Sequence, residues 1–426
     1  MTSWIVIAAA AVMLILLFLK IPVFISVLAG SVTYFMLHPE LPAQIMAQRV
    51  IAGIESIPLL AIPFFVCSGV IMNYSGVTHR IMRFCEVLMR KVPGGLAQVN
   101  VLLSTLMGGL SGSNLADAAM EAKMLVPEME KKGFSKEFST VVTAVSAMIT
   151  PLIPPGIAMI IYGSIANVSI GRLFVAGIGP GLLLCVSMMI MVGFISVKRK
   201  YTSEMSETVS LKKAFIEAIF PLLLPVVIIG GIRLGIFTPT EAGSVAIIYA
   251  VLLSIIYREF RWKNLFKAIK ETVATTASIM MIVGAASAFA WILTRERIPQ
   301  HLTEFIINSV SNKYVFLLII NLFLIIVGMF IEGNASMIVL VPLLVPVARA
   351  FGIDDIQFAM IFIFNNAIGA ISPPMGTLMF VTCGITNCKV ATFIKEAVPF
   401  YLLLLTCLML LTFVPFFSQA IVNLVY

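Results

Sequence analysis

The sequence predicts an all-α polytopic membrane protein built from two inverted repeats, on the grounds of its composition, its hydrophobic periodicity and a duplicated motif. Of the 426 residues, 60% are apolar and 11% are charged, and the mean hydropathy is +1.08. That balance is far too apolar for an ordinary soluble domain. Hydrophobic stretches of about 17 to 25 residues recur, which is the length that an α-helix needs to cross about 30 Å of hydrocarbon. The short alternating segments of a transmembrane β-barrel do not dominate the chain.

The duplicated motif indicates where the repeats lie. Leu125-Val126-Pro127 returns 219 residues later as Leu344-Val345-Pro346, and Pro154-Pro155 returns at the same offset as Pro373-Pro374. A break rich in Gly, Ser and Asn precedes each copy, over 108–114 and 328–334. Paired broken hydrophobic segments in corresponding halves are typical of secondary transporters. We therefore predict a first repeat over 1–200, a linker over 201–212 and a second repeat over 213–426.

Taken along the chain, the apolar stretches divide into full spans and re-entrant hairpins. Two stretches, 98–127 and 314–347, are interrupted centrally and are predicted to enter and leave the bilayer on the same side. Two of the full spans, 138–166 and 357–386, are broken by prolines. The predicted full spans are 4–19, 22–37, 57–74, 138–166, 171–197, 213–233, 238–257, 272–293, 357–386 and 397–421.

The first apolar run and two basic segments differ in character from the other stretches. The first apolar run has no basic leader before it, so it is predicted to be a retained span rather than a cleaved signal peptide. Segments 76–91 and 259–270 are basic and amphipathic, and we predict that they lie along the membrane surface as interfacial helices. An ordinary basic loop is the alternative for both.

The distribution of cations predicts the orientation. If the spans are as drawn, 21 of the 28 Lys and Arg residues fall on one face, which should therefore be cytoplasmic. Both termini are then periplasmic. Five spans separate the two hairpins, so the chain reaches the second hairpin from the opposite face and the repeats must be inverted. The cation-rich segments are Lys20, 80–91, 123–136, 198–213, 258–270 and 389–395.

The hairpin tips and proline breaks are the candidate binding elements. An unwound tip exposes carbonyl and hydroxyl oxygens that suit sodium, while the helix that follows directs its N-terminal amides at a carboxylate. Prolines in the broken spans free further carbonyls. Close helix packing is the alternative explanation for the small residues, and a packing kink for the prolines. The segments concerned are Gly108–Asn114, Gly328–Asn334, Thr150–Gly156 and Ser372–Thr377.

Among the acidic residues, Glu332 at the second tip is the strongest functional candidate, because carboxylates within the membrane are expensive to bury. Asp117 and Glu121 follow the first tip and could simply cap or pair within the hairpin. For Glu241, at the entrance of a span, an N-terminal cap is the better interpretation.

Several function classes lack support in the sequence. The six cysteines have no metal-ligand spacing and are predicted to be small buried hydrophobic residues. The three histidines lie far apart, and no hydrolase, zinc-protease or Walker-type motif occurs. We therefore predict that the chain is not an enzyme and does not hydrolyse ATP. The net charge of +8 follows membrane topology, so we predict no nucleic-acid partner.

Four motifs together resemble the large membrane subunit of tripartite ATP-independent periplasmic (TRAP) transporters. They are Gly-Leu-Ser-Gly-Ser (109–113), Pro-Leu-Ile-Pro-Pro (151–155), Phe-Thr-Pro-Thr-Glu-Ala-Gly (237–243) and Ser-Pro-Pro-Met-Gly (372–376), and the resemblance extends over essentially the whole chain. It implies a scaffold and a mobile transport domain that work as an elevator in the bacterial inner membrane. It also implies sodium-coupled uptake, a small four-span membrane subunit and a periplasmic substrate-binding protein.

The resemblance also implies a set of site residues. One sodium ion would be bound by Ser111, Ser113, Asn114 and Thr150, and a second by Glu332, Gly333, Asn334 and Ser372. Substrate would lie between them and touch Ser111, Ser113, Gly156, Glu332 and Thr377. Two positions depart from the family pattern: the family usually has Ser at the position of Gly156, and Asp followed shortly by Pro at the position of Glu332.

The resemblance does not determine the substrate or the coupling ion, and other function classes stay as alternatives. Family substrates are organic acids such as C4-dicarboxylates, sialic acid and sugar acids, and the residues are equally compatible with sodium and proton coupling. The nearest alternative is a sodium-coupled carboxylate transporter that works alone. A channel and a membrane-embedded enzyme are more distant alternatives, because the paired hairpins close a through-pore and no catalytic residues converge.

Overall fold

The computed structural model describes residues 4–19, 21–201, 210–310 and 312–426. Within those ranges the protein consists of twenty α-helices and one short 3-10 helix, with no β-strand. The all-α fold predicted from the sequence is confirmed. Lys20 and most of the predicted 201–212 linker lie outside the described residues.

The first half of the chain contains ten helices. The 3-10 helix Ile57–Leu60 runs directly into the fourth of them. The helices are α1 Trp4–Phe18, α2 Val23–Leu37, α3 Gln44–Ile54, α4 Ala61–Tyr74, α5 Val77–Met89, α6 Gly95–Ser111, α7 Asn114–Lys131, α8 Lys136–Ser146, α9 Ile157–Ala166 and α10 Ile170–Arg199.

The second half also contains ten helices. They are α11 Leu211–Arg233, α12 Pro239–Ile256, α13 Trp262–Arg295, α14 Ile298–Ser309, α15 Lys313–Phe330, α16 Gly333–Ala350, α17 Asp355–Ile371, α18 Thr377–Thr386, α19 Val390–Phe413 and α20 Phe416–Val425.

Eight helical segments of the described chain are long and apolar enough to cross a membrane. The protein is therefore a multi-pass membrane protein. Several predicted spans are shorter as helices: α1 and α2 have 15 residues each, and the two proline-broken spans are each divided into two helices. Both arms of the second predicted hairpin, α15 and α16, are 18 residues long and meet the length criterion by themselves.

Two predicted boundaries are wrong. Segments 259–270 and 272–293 were predicted as a surface helix and a separate span, but α13 is one helix of 34 residues. No Gly or Pro interrupts it before Gly284, so nothing in the backbone ends it between the basic and the apolar part. The predicted span 397–421 is two helices, because Pro415 cannot continue the α19 hydrogen-bonding pattern and holds Val414 in an extended conformation.

Corresponding helices recur in the two halves with the spacing of the duplicated motif. Helices α7 and α16 have 18 residues each and begin 219 positions apart, at Asn114 and Gly333. Helices α9 and α18 have 10 residues each. Both Pro154-Pro155 and Pro373-Pro374 contain a cis peptide bond. The same sequence of long helix, break and short helix therefore occurs twice.

Local chemistry ends and restarts the helices at each tip. Gly112 adopts a left-handed conformation, with φ of +63°, and ends α6. The Ser113 side chain then caps α7 by accepting from the Ala116 amide at 3.4 Å. In the second half Ile331 is extended, and the Glu332 carboxylate caps α16 by accepting from the Ala335 amide at 3.1 Å.

The helices pack in two groups. In one group α1 to α4 pack with α11, α12 and α13, and α5 packs on α11. In the other group the helices α6 to α10 pack with α15 to α20, for example α7 on α18 and α9 on α16. The groups meet where α4, α5 and α11 contact α6, where α4 contacts α9, where α11 contacts α10 and where α13 contacts α16, and α14 packs on both α13 and α16. That boundary positions the site described next.

Candidate functional site

A cavity of about 150 Å³ lies at the boundary between the two helix groups. Most of its wall comes from the second group, through the breaks before α7 and α16, the starts of α9 and α18, and one face of α17. Helix α13 of the first group closes one side. The lining residues are Gly112, Ser113, Asn114, Leu115, Pro151, Ile157, Ala158, Thr275, Ile279, Glu332, Gly333, Asn334, Met337, Ile363, Asn366, Ala367, Ala370 and Thr377.

Four helices begin at this cavity. Their first residues, Asn114 of α7, Ile157 of α9, Gly333 of α16 and Thr377 of α18, all line it. The first amides of a helix have no partner within the helix, and the N-terminus carries a partial positive charge. No Lys or Arg side chain is among the described residues that line the cavity. Helix N-termini are therefore the main source of positive potential for an anionic guest.

The first tip surrounds a buried carboxylate. The hydroxyls of Ser111 and Thr150 both donate to Oδ2 of Asp117, at 2.6 and 3.0 Å. Asp117 is completely buried, and its Oδ1 accepts no hydrogen bond from the described residues. The tip is thereby tied to the proline break after α8, because Thr150 belongs to that break. The free oxygen beside two hydroxyls is the kind of donor set that a hard cation prefers.

The second tip is fixed to α17 by amide and hydroxyl groups. The Asn366 side chain donates to the Gly333 carbonyl at 3.0 Å and accepts from the Ser336 hydroxyl at 2.9 Å. The Glu332 carboxylate accepts from the Asn334 side-chain amide at 2.8 Å in addition to capping α16. Glu332 therefore lies at the cavity wall with both oxygens already hydrogen-bonded.

The structure brings part of the predicted site together. Six of the predicted residues line the cavity, and four lie outside its lining. Ser111 and Thr150 are engaged with Asp117 behind the first tip, and the Ser372 hydroxyl donates to the Ile368 carbonyl at 2.8 Å within its own helix. The six in the lining are Ser113, Asn114, Glu332, Gly333, Asn334 and Thr377.

Gly156 does not line the cavity, although Pro151 and Ile157 on either side of it do. A Cβ atom at this position would lie 2.6 Å from the carbonyl oxygen of Pro151, which is closer than real side chains come. The tight turn at Gly156 leaves no room for a side chain, and the residue that follows it begins α9 at the cavity.

Sequence reasoning missed Thr275 and Asn366 as cavity residues. Both occur in doublets of polar residues, Thr275-Thr276 and Asn365-Asn366, within otherwise apolar helices. A doublet of polar residues inside a span is the sequence signal that could have indicated both residues, because a polar group in the membrane needs a partner or a function. Asp117 was predicted to cap or pair within the hairpin, and its hydrogen bond from Ser111 does lie within the hairpin, whereas the second hydrogen bond, from Thr150 in the proline break, was not predicted.

The geometry defines a class of protein: a multi-pass membrane protein that holds a small cavity of mixed polar and apolar lining between two packed helix groups, with four helices beginning at it. Comparison with known structures agrees with this class. The YdaH transporter of Alcanivorax borkumensis aligns with a TM-score of 0.65 at 14% identity, over 87% of this chain and 88% of that one. At that identity the likeness concerns the fold alone.

Sequence comparison identifies the family. The family model for the DctM component of tripartite ATP-independent periplasmic transporters matches residues 10–417. The sialic acid TRAP transporter large permease protein SiaM of Vibrio cholerae is 39% identical, over 95% of each chain. The 2,3-diketo-L-gulonate TRAP transporter large permease protein YiaN of Escherichia coli is 36% identical, over 91% of this chain and 92% of its own. The chain belongs to the TRAP transporter large permease family, as its motifs indicated.

Proposed function

We propose that this chain is the large membrane subunit of a sodium-coupled transporter that imports an organic acid across the bacterial inner membrane. The observation that carries the proposal is the convergence of four helix N-termini and both hairpin tips on one cavity. Helix N-termini attract a carboxylate, and the oxygens at the tips attract a hard cation, so anion and cation are accommodated next to each other. We propose no enzymatic activity.

The coupling ions are two sodium ions, one at each tip. The first would use Ser111, Ser113, Asn114 and Thr150, and the unpartnered Oδ1 of Asp117 supports a cation there. The second would use Glu332, Gly333, Asn334 and Ser372, supported by the carboxylate that caps α16 beside the cavity. Both sites rely on oxygen atoms, as sodium requires. The ions are transported with the substrate and are not resident cofactors.

The substrate is proposed to be a C4-dicarboxylate, sialic acid or a sugar acid. The names of two relatives, one for sialic acid and one for 2,3-diketo-L-gulonate, support this range. Substrate would occupy the cavity between the tips, in reach of Ser113, Glu332 and Thr377. Ser111 and Gly156 stay part of the proposed substrate site as residues that hold the first tip and the start of α9 in place.

The proposed movement is an elevator. The two helix groups support it, since the group of α6 to α10 and α15 to α20 carries nearly all of the cavity wall while the other group contributes α13. Movement of the cavity-bearing group relative to the other group would carry the tips and substrate together across the barrier.

The proposed partners are a small four-span membrane subunit and a periplasmic substrate-binding protein, with the lipid bilayer around the helices. The tripartite family description and the word "large" in the relatives' names support them. Both termini are proposed to be periplasmic.

The test is uptake of labelled organic acids into proteoliposomes that contain this chain and its small partner, under an inward sodium gradient, with and without the binding protein. Uptake that needs both sodium and the binding protein is expected. Uptake that needs sodium alone would instead favour a stand-alone carboxylate transporter, and continuous flux without ion coupling would favour a channel.

A further inference from the structure

A second cavity, of about 410 Å³, adjoins the first and contains a lysine without a partner among the described residues. It lies between α4, α5, α7 and α13, and we call it the vestibule. On α7 the first cavity ends at Leu115 and the vestibule begins at Ala116. On α13 the first cavity includes Thr275 and the vestibule includes Glu271, one turn earlier. The two spaces therefore follow each other along the same pair of helices.

Lys123 is the cation at the far end of this route. It is exposed, lines the vestibule, and forms no ion pair or hydrogen bond with the described part of the chain. It lies eight residues beyond Leu115 on α7, a distance of about 12 Å along the helix. An anion that leaves the first cavity, whose described lining has no Lys or Arg, therefore meets its first lysine here.

Other groups around the vestibule are consistent with an anion site. The Thr78 hydroxyl is buried in the wall and has no partner among the described residues, so it is free to donate. His79 also lines the space, from α5. The Glu271 carboxylate opposes an anion from α13, but it accepts a hydrogen bond from the Tyr74 hydroxyl at 2.7 Å.

We propose that Lys123 and the Thr78 hydroxyl form a low-affinity anion site in the vestibule, through which the carboxylate of the organic acid leaves the cavity toward the cytoplasm. The role of this site in substrate release depends on the proposed transport function. The site itself is inferred from the two adjoining cavities and the unpaired lysine. A lysine at an exit favours departure of an anion because it lowers the electrostatic barrier without the bidentate geometry that would hold the anion tightly.

The first experiment measures the potential in the vestibule without any substrate. Ala119→Cys places a thiol on the vestibule wall one helical turn from Lys123. Its reaction rates with an anionic and a cationic methanethiosulfonate reagent are compared in detergent, and the parent chain, whose six cysteines are buried or half-buried, gives the blank. Adding Lys123→Gln should lower the ratio of anionic to cationic rates about three- to tenfold at low salt, an effect that screening should reduce at high salt.

Matched variants show whether the change in the rate ratio comes from the charge of Lys123 or from a change in the structure of α7. Lys131→Gln removes a cation from the same helix, but Lys131 is paired with Glu128 and does not line the vestibule, so the ratio should not change. Lys123→Arg should keep the ratio near its original value, and Glu271→Gln should raise it. An equal ratio with and without the Lys123→Gln substitution would overturn the anion site.

The second experiment measures uptake of labelled C4-dicarboxylate, sialic acid and sugar acid, each in turn, into proteoliposomes that contain this chain and its small partner, with the binding protein added. With Lys123→Gln, the maximal rate should fall several-fold at low salt and less at high salt, with little change in the half-saturating substrate concentration. Unchanged uptake in Lys123→Gln, while the unsubstituted chain transports, would overturn the role of the site in release. If the unsubstituted chain transports none of the organic acids but the reagent ratio depends on Lys123, the anion site stands and the proposed function fails.

Discussion

At the scale of single residues, Ser113 and Glu332 are the tip residues that both cap a helix and line the cavity. Each accepts a hydrogen bond from a backbone amide of the helix that begins there. The two caps differ in charge: a neutral hydroxyl starts α7 and a carboxylate starts α16. Asp117, in the first turn of α7, places a carboxylate beside that end as well, so each of the two helix starts has one carboxylate close to it.

We predict that Ser113→Ala and Glu332→Gln each reduce sodium-dependent uptake about tenfold or more with little effect on expression. Loss of one hydrogen bond or ligand to a charged group is worth about 1.5 to 3 kcal/mol, which is roughly tenfold or more in binding. Initial uptake rates over a sodium titration measure the effect, which should appear as a weaker apparent sodium affinity.

Matched substitutions on α14 serve as controls. Ser309→Ala removes a hydroxyl that, within the described part of the chain, donates to the Phe305 carbonyl of its own helix, and Glu304→Gln neutralises an exposed carboxylate. Neither residue lines the cavity. Full uptake by both site variants at every sodium concentration would remove these two residues from the proposed site.

The sequence predicted the tips but could not predict every contact that they make. Ser113, Asn114 and Glu332 were predictable because an unwound Gly-rich tip must expose its polar groups. The hydrogen bond from Thr150 to Asp117 depends on how the first hairpin packs against the proline break, 33 residues further along the chain. A contact of that kind follows from tertiary packing and has no local pattern.

At the scale of helices, the close approach of α15 and α17 holds the second tip against the cavity. A Cβ atom on Gly369 of α17 would lie 2.5 Å from backbone atoms of Gly328 in α15. The two backbones therefore touch at a pair of glycines, which is how small residues allow helices to pack in membranes. The same helix α17 presents Asn366 to the second tip one turn earlier.

We predict that Gly369→Ala lowers the thermal unfolding temperature of the protein in detergent and reduces uptake. The added methyl group has to separate two backbones, and overpacking of this kind typically costs about 1 to 3 kcal/mol. The change also moves α17 relative to the tip that Asn366 holds. Gly384→Ala on α18 is the control, since no atom of the described residues would lie within 4 Å of a Cβ atom there.

The Gly384→Ala control also has an expected effect on the unfolding temperature. Alanine in the interior of a helix is more favourable than glycine by roughly 1 kcal/mol, so Gly384→Ala should leave the unfolding temperature unchanged or raise it slightly. If Gly369→Ala proves as stable as Gly384→Ala, the close contact of α15 and α17 is not a determinant of stability.

Among the helices, sequence analysis succeeded where apolar stretches are long or where Gly and Pro mark a break. It placed the tip breaks and the proline breaks within a few residues of their observed positions. It missed α3 and α14, which have 11 and 12 residues and a mixture of polar and apolar side chains. Short helices of this kind depend on tertiary packing more than on their own propensity, so a hydropathy pattern does not reveal them.

At the scale of the whole molecule, the duplicated order of helices places two similar tips at one cavity. Both tips, both short helices after the proline breaks, and their first residues converge there. A single site built from two repeats can open toward either face if the repeats have opposite orientations. That orientation was predicted from the count of spans, and it leads to a test at the two ends of α7 and α16.

We predict that cysteines at the ends of the two hairpins react from opposite sides of the membrane. Lys131→Cys lies at the end of α7 and Ala350→Cys at the end of α16, 219 positions later, and both positions are exposed. If the repeats are inverted and the cation-rich face is cytoplasmic, an impermeant maleimide should label the Ala350→Cys variant in intact spheroplasts and the Lys131→Cys variant only in inside-out vesicles. The parent chain, whose six cysteines are buried or half-buried, measures the background. Labelling of both variants from one side would mean that the repeats are parallel, and alternating access would then need a different movement from the one proposed.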